Sequence, residues 1–184
     1  AKKIDGIFLH ASNSPSTTTL GSVSGATYTW WRNHQADVGA YANNLEDKLR
    51  TGFNTVSAGG GDFPDGILCS QTAFEYYESL GVSGKRFIDE QKSLDLGFTV
   101  LKYKGADMFW DKGMASDVPV TGESIVLLNS EAIKLVIDKE SVFITTDFIE
   151  PDNQTAYVAK VIAMLNLTTN NRRKLGLLHG IDAS

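Results

Sequence analysis

Three histidines and one cysteine are the groups of this chain best suited to chemistry. Acid–base, nucleophilic or metal chemistry would need them beside partners of the right type. His10, His34 and His179 form no pair four residues apart, and none joins a His/Cys/Glu cluster with ligand spacing. Each reads as a structural histidine. Cys69 lies in Gly66-Ile-Leu-Cys-Ser70 and reads as a small buried apolar residue. As the lone cysteine it excludes an internal disulfide and a multi-cysteine zinc site. A Ser–His–Asp triad assembles in space and leaves no fixed spacing, but no Gly-x-Ser-x-Gly elbow is present, and Gly21-Ser-Val-Ser-Gly25 is spaced wrongly for one. The Gly59–Gly61 run lacks a following Lys-Ser/Thr and comes after a helix, so it is a poor phosphate loop. Asp107 and Asp111 near Trp110 read as turn-flanking residues in preference to paired carboxylates. Arg172-Arg-Lys174 is too short for a nucleic-acid patch and reads as a solvated turn or as charge across a subunit contact.

The totals narrow the class of protein. With 184 residues, 42% hydrophobic and 21% charged, the chain fits one domain or two small lobes sharing a core. No apolar run approaches the roughly 20 residues of a membrane span. A net charge of −5 argues against a dedicated nucleic-acid binder. The chain starts without Met or a signal-peptide core, so a processed or partial chain is expected, with room for residues upstream.

The elements that would carry these residues can be read from pattern. Residues 155–178 read as a long central strand, since apolar residues fall on both faces from Tyr157 to Leu167 and a polar break follows at Asn170–Lys174. Leu45, Leu49, Phe53 and Val56 make one helical stripe, so a helix is expected from Tyr41 to Val56, ended by Gly59-Gly-Gly-Asp62. Ile67–Cys69 is a short buried strand, and Thr72-Ala-Phe-Glu75 has capping-box spacing for a helix closed by Gly81. Further strands are expected at 98–103, 106–110, 124–129, 133–137 and 142–145, with a turn or bulge at Lys104-Gly105. Residues 4–9 are of uncertain type, 11–25 form a surface loop or extended arm, and Lys85–Gln91 is a charged linker. Tyr28-Thr-Trp-Trp-Arg-Asn33 reads as a strand sending adjacent tryptophans to opposite faces. Buried aromatics and Arg are also what interfaces favour, so Trp30, Trp31 and Arg32 stand as interface candidates beside a core role.

These segments, in order, resemble a known family. Trp30-Trp-Arg-Asn33, the helix over 45–56, Pro64-Asp-Gly-Ile-Leu-Cys-Ser-Gln71 with Phe74-Glu-Tyr-Tyr77, and Arg86-Phe87 come first. Residues 96–107 with Trp110-Asp111, Val126-Leu-Leu-Asn129, and the close Asn166-Leu-Thr-Thr-Asn-Asn-Arg-Arg-Lys-Leu-Gly-Leu-Leu178 follow. Together they resemble the major capsid protein of tailed bacteriophages, of the Hong Kong 97 (HK97) fold class, over residues 4–181. The loop at 21–27 departs from the Gly-Gly-Ile-Asp-like pattern associated with the family.

The resemblance implies an α+β coat subunit. A peripheral lobe would carry long strands and a spine helix, and an axial lobe a sheet flanked by helices. Residues 1–40 and 96–184 are expected to supply mainly peripheral-lobe strands and connections, and 41–95 mainly axial-lobe helices and a strand. The family's N-terminal arm, extended loop and most of its spine helix would lie upstream, making this the C-terminal portion of a coat protein. No catalytic residue, cofactor or metal is implied. The implied partners are copies of the same chain in an icosahedral shell, with scaffold or portal proteins beyond them. No membrane or sequence-specific nucleic acid is implied, and the expected location is the virion capsid, assembled in the bacterial host cytoplasm. Trp30, Trp31, Arg32, Arg172 and Arg173 are expected near lobe junctions or intersubunit contacts. Two rival readings remain: a small hydrolase or transferase whose histidine, carboxylate and hydroxyl meet in space, and a receptor- or sugar-binding module using exposed aromatics.

Overall fold

A computed structural model describes residues 5–82, 101–116, 122–150 and 155–182. The chain begins with one helical turn, α1 (Ile7–His10), a small hairpin of β1 (Thr19–Leu20) and β2 (Val23–Ser24), and a 3-10 turn at Thr29–Trp31. Strand β3 (His34–Ala40) runs directly into α2 (Tyr41–Gly60), and β4 (Gly66–Cys69) leads to α3 (Gln71–Val82). Then come β5 (Leu101–Tyr103), β6 (Ala106–Trp110), the short α4 (Gly113–Ser116) and β7 (Glu123–Leu128). The remainder is β8 (Ile133–Ile137), β9 (Ile144–Thr145), β10 (Val161–Ile162), β11 (Leu165–Thr169), a 3-10 turn at Arg172–Lys174 and β12 (Gly176–Asp182).

One mixed sheet in the order β3-β12-β7-β4-β6-β5 forms the body. The β3/β12 and β4/β6 pairs are parallel and the other pairs antiparallel. Period-two alternation sorts its side chains into two cores. Ile125, Leu127 and Leu178 face α2 and α3, where they meet Leu45, Leu49, Phe53 and Val56. Val126, Leu175 and Leu177 face the other way, toward Ala11, Met114 and Ala132. Residues 124–127 of β7 are therefore buried in succession, as a strand covered on both sides requires. The helical stripe at 45–56 is buried as its spacing predicts, but α2 continues to Gly60. It ends at Gly61, whose φ of 76° gives the left-handed cap, with its N–H on the Ser57 carbonyl. Lys104 (φ 49°) and Gly105 (φ 90°) form the tight left-handed turn that joins β5 to β6.

A second region stands apart from this sheet. Strands β8 and β11 pair antiparallel, β9 and β10 pair beyond them, and an isolated bridge joins Ile149 to Val158. The described residues of 133–150 and 155–169 thus form a two-stranded ribbon. This corrects the expected central strand. Only Gly176–Asp182 enters the middle of the main sheet, while 161–169 lies in the ribbon, exposed at Val161–Ile162 and half-buried at Leu165–Thr169. The polar break separates them, because Asn171 accepts the Arg173 N–H through its side chain and turns the chain into a 3-10 turn.

Other expectations shift. Residues 29–31 form a 3-10 turn, so the tryptophans do not alternate across a strand. Helix α3 starts at Gln71 and runs past Gly81 to Val82; Gln71 bonds Glu75, and the Phe74 N–H reaches the Ser70 carbonyl, so Thr72 is not its cap. The main sheet draws strands from 34–40, 66–69, 101–110, 123–128 and 176–182, on both sides of residues 40 and 95. The linker at 85–91, residues 98–100 and most of the turn at 118–122 lie outside the described residues. Among the described residues no helix is long and apolar enough to cross a membrane.

Candidate assembly surfaces and the joint between them

The residues capable of chemistry are kept apart. His10 is buried and His34 half-buried, and burial lowers both pKa values from 6.5. His179 lies elsewhere, with its Nε2 2.9 Å from Gln35 Oε1. Burial pushes the Cys69 thiol up to about 12, and its Sγ lies 3.2 Å from the Phe109 carbonyl. That thiol stays protonated and unreactive. Asp107 pairs with Lys102 at 3.4 Å, while Asp111 accepts the Gly113 N–H and caps the turn. Among the described residues no three His, Cys, Asp or Glu side chains gather to hold a metal.

The glycine run serves packing. Arg173 and Lys174 lie across the C-terminal end of α2, where unpaired carbonyls favour cations. A Cβ at Gly59 would sit 3.5 Å from Arg173 Nε, and one at Gly60 would come within 2.8 Å of Lys174 Cγ. Lys174 Nζ stands 3.4 Å from both Asp62 and Glu131. Hydrogen bonds from the Phe63 N–H and Asn129, and then Lys174, hold the Asp62 pKa below its ordinary value.

Among the described residues two surfaces are apolar and open. The first is a knob. Tyr28 and Trp30 are 46% and 55% exposed, with ring centroids 5.6 Å apart, and Trp31 meets Trp30 edge-on at 5.9 Å. Arg32 holds the loop from beneath, donating to the carbonyls of Gly25 (2.7 Å) and Ala26 (3.5 Å). Glycine is required at 25 because a Cβ there would lie 1.9 Å from the Pro15 carbonyl oxygen.

The second surface is the ribbon. Its register places Leu135 opposite Leu167 and Ile137 opposite Leu165 on one face, with Lys134/Thr168 and Val136/Asn166 on the other. Farther out, Phe143, Phe148 and Tyr157 are each about 70% exposed. Thirteen of the nineteen exposed large apolar side chains among the described residues lie between Leu135 and Met164. A contiguous apolar surface of this kind marks an interaction site.

The joint between ribbon and body was not legible from sequence. Arg172, expected near a junction or subunit contact, is wholly buried within the chain. Its Nε donates to the His10 carbonyl (2.9 Å), and its Nη2 to Asn33 Oδ1 (3.0 Å) and the Leu9 carbonyl (3.4 Å). Asn33 closes the network by accepting the Ser12 N–H and donating to the Ser12 and His34 carbonyls. Asp5 binds Asn166 of the ribbon twice, through its N–H (2.9 Å) and its carboxylate (2.8 Å). Partners some 140 to 160 residues apart leave no local signal. Only a lone Asn and an Arg between apolar segments hinted at burial.

No protein-family model and no curated protein matches the chain. Solved structures do. The holo-SrpI encapsulin complex from Synechococcus elongatus PCC 7942 superposes with a TM-score of 0.57 at 14% identity, over 82% of this chain and 53% of that one. The capsid asymmetric unit of cyanophage A-1(L) gives 0.59 at 14% identity, over 95% and 57%. A chain of Gordonia phage Cozz gives 0.50 at 15% identity, also over 95% and 57%. The chain spans a little over half the length of these structures. Its fold is the mixed α+β, HK97-like fold of phage capsid and encapsulin shell proteins, as the resemblance implied.

Proposed function

We propose, with the HK97-like capsid fold as premise, that this chain is a structural coat subunit whose work is repeated association with copies of itself into a closed shell. The ribbon carries this reading. A two-stranded hairpin is marginal in water by itself, and this one leaves its apolar side chains open while the sheet next to it is covered on both sides. Such a surface is stable when other subunits cover it. A shell needs several modest interfaces on one rigid scaffold and no cofactor. The ribbon fits the long strands of the peripheral lobe, and the sheet with α2 and α3 fits the axial lobe. Trp30, Trp31, Arg32 and Arg173 are the proposed contact residues of the body, whereas Arg172 acts inside the joint.

In this reading the shell is that of a virion, built in the bacterial host cytoplasm, with scaffold and portal proteins as further partners. The likeness to an encapsulin supports a second reading, a shell without a phage genome. The test is expression of the protein from its own reading frame, followed by sedimentation and electron microscopy. Wild type should form closed particles. Leu135→Asp with Ile137→Asp should sediment as small species while the near-UV circular dichroism of the body is unchanged. Particle formation by that variant would contradict the assignment, and particles from infected cells that lack nucleic acid would favour the encapsulin-like alternative.

A further inference from the structure

Residues 5–12 touch both halves of the molecule. At one end Asp5 grips Asn166 of the ribbon; at the other, Ser12 and the carbonyls of Leu9 and His10 are held by Asn33 and Arg172 of the body. His10 lies between these grips, 1% exposed, its ring nitrogens near the Leu167 backbone of β11 and otherwise without a hydrogen-bond partner among the described residues. Arg172 is equally buried, and no carboxylate lies within ion-pair distance of it among the described residues. We infer that this segment is an acid-sensitive latch: a proton on His10 places a second cation beside the buried Arg172 guanidinium and releases residues 5–12 from body and ribbon together.

The groups around the ring set the direction. Burial opposes its protonation most strongly, and Arg172 from the 3-10 turn opposes it further. Asp5 on the same segment and the backbone of Leu167 in β11 favour the charged ring, but do not outweigh burial. Asn33 and Asn166, the other polar neighbours of the latch, carry no charge. The latched ring therefore binds fewer protons than the released ring, whose pKa is near 6.5. The latch is complete above that pH and weakens as pH falls toward the lowered value. Each pKa unit of lowering gives a tenfold rise in the open population across that window.

Hydrogen exchange of the Asp5 and Ser12 amides reports both ends, since each donates to an Asn side chain across the joint. After correction for intrinsic rates, their protection should be lost progressively between pH 7.5 and 5, while Leu49 and Leu127 in the core keep theirs. His10→Gln should abolish that fall, and His34→Gln should keep it. Protection independent of pH, or a fall that follows His34, overturns the proposal. Should His10→Gln fail to fold, the His10 imidazole titration in the wild-type chain decides by NMR. A midpoint below 6.5 that coincides with the loss of protection supports the latch; a midpoint at or above 6.5 contradicts it.

Discussion

The sheet body and the ribbon are made of the same kinds of residue and meet opposite fates. In β7, Ile125, Val126 and Leu127 have no exposed surface, because α2 lies over one side and Leu175, Leu177 and Met114 over the other. In β8, Leu135, Val136 and Ile137 are each about half exposed. Both triplets are consecutive β-branched or aliphatic residues. Apolar residues on both faces show that a strand needs cover, but not whether its own chain or another provides it. In the proposed coat subunit the body is the part that covers its own apolar faces, and the ribbon the part left for a partner to cover.

The largest effect that would break this contrast comes from the core. Phe53→Ala removes a ring packed against Phe63 and Tyr103 and should cost about 3–5 kcal/mol in chemical denaturation. Val161→Ser, at 65% exposure in the ribbon, should change that stability by only about 0.5 kcal/mol. Comparable losses at the two sites would erase the distinction.

A smaller effect is expected at the joint. Arg172→Met keeps bulk but leaves the His10 carbonyl without its donor and Asn33 Oδ1 with the Ser12 N–H alone, which should cost about 1–3 kcal/mol. Urea midpoints would show it. A neutral result would mean the network adds nothing to holding ribbon and body together. Gly176→Ala sharpens the same comparison within the body, since its Cβ would lie 2.9 Å from Val56 Cγ2 and 3.1 Å from Leu127 Cδ1. Overpacking there should cost about 1–3 kcal/mol of thermal stability.

The smallest effect concerns Cys69. Its thiol, raised to about 12 by burial, contributes stability that is lost only as pH climbs from 9.0 toward that value. At pH 8 its labelling by a thiol reagent should therefore follow global unfolding. Rapid labelling of the native chain would contradict the closed core on the β4 side.

Much of the body was legible in the sequence, because local rules decide it. The stripe at 45, 49, 53 and 56 needs only helical period, and Lys104-Gly105 only the turn chemistry of a hairpin. The ribbon was legible as β structure but not in its place, since Tyr157–Leu167 reads alike whether a helix or a second subunit covers it. The tryptophan pair was misread as strand because aromatic propensity says little where the chain is held by Arg32 and a glycine at 25. The role of Arg172 depends on Asn33 and His10, which topology alone brings near.

The contrast is tested most directly by hydroxyl-radical footprinting of the assembled protein against its dissociated subunits. Ribbon side chains such as Phe143, Phe148 and Tyr157 should be oxidised freely in the subunit and strongly protected in the particle, with the core residues Phe53 and Met108 protected in both. Equal oxidation of the ribbon in both states would contradict its assignment as the surface through which copies of this chain meet.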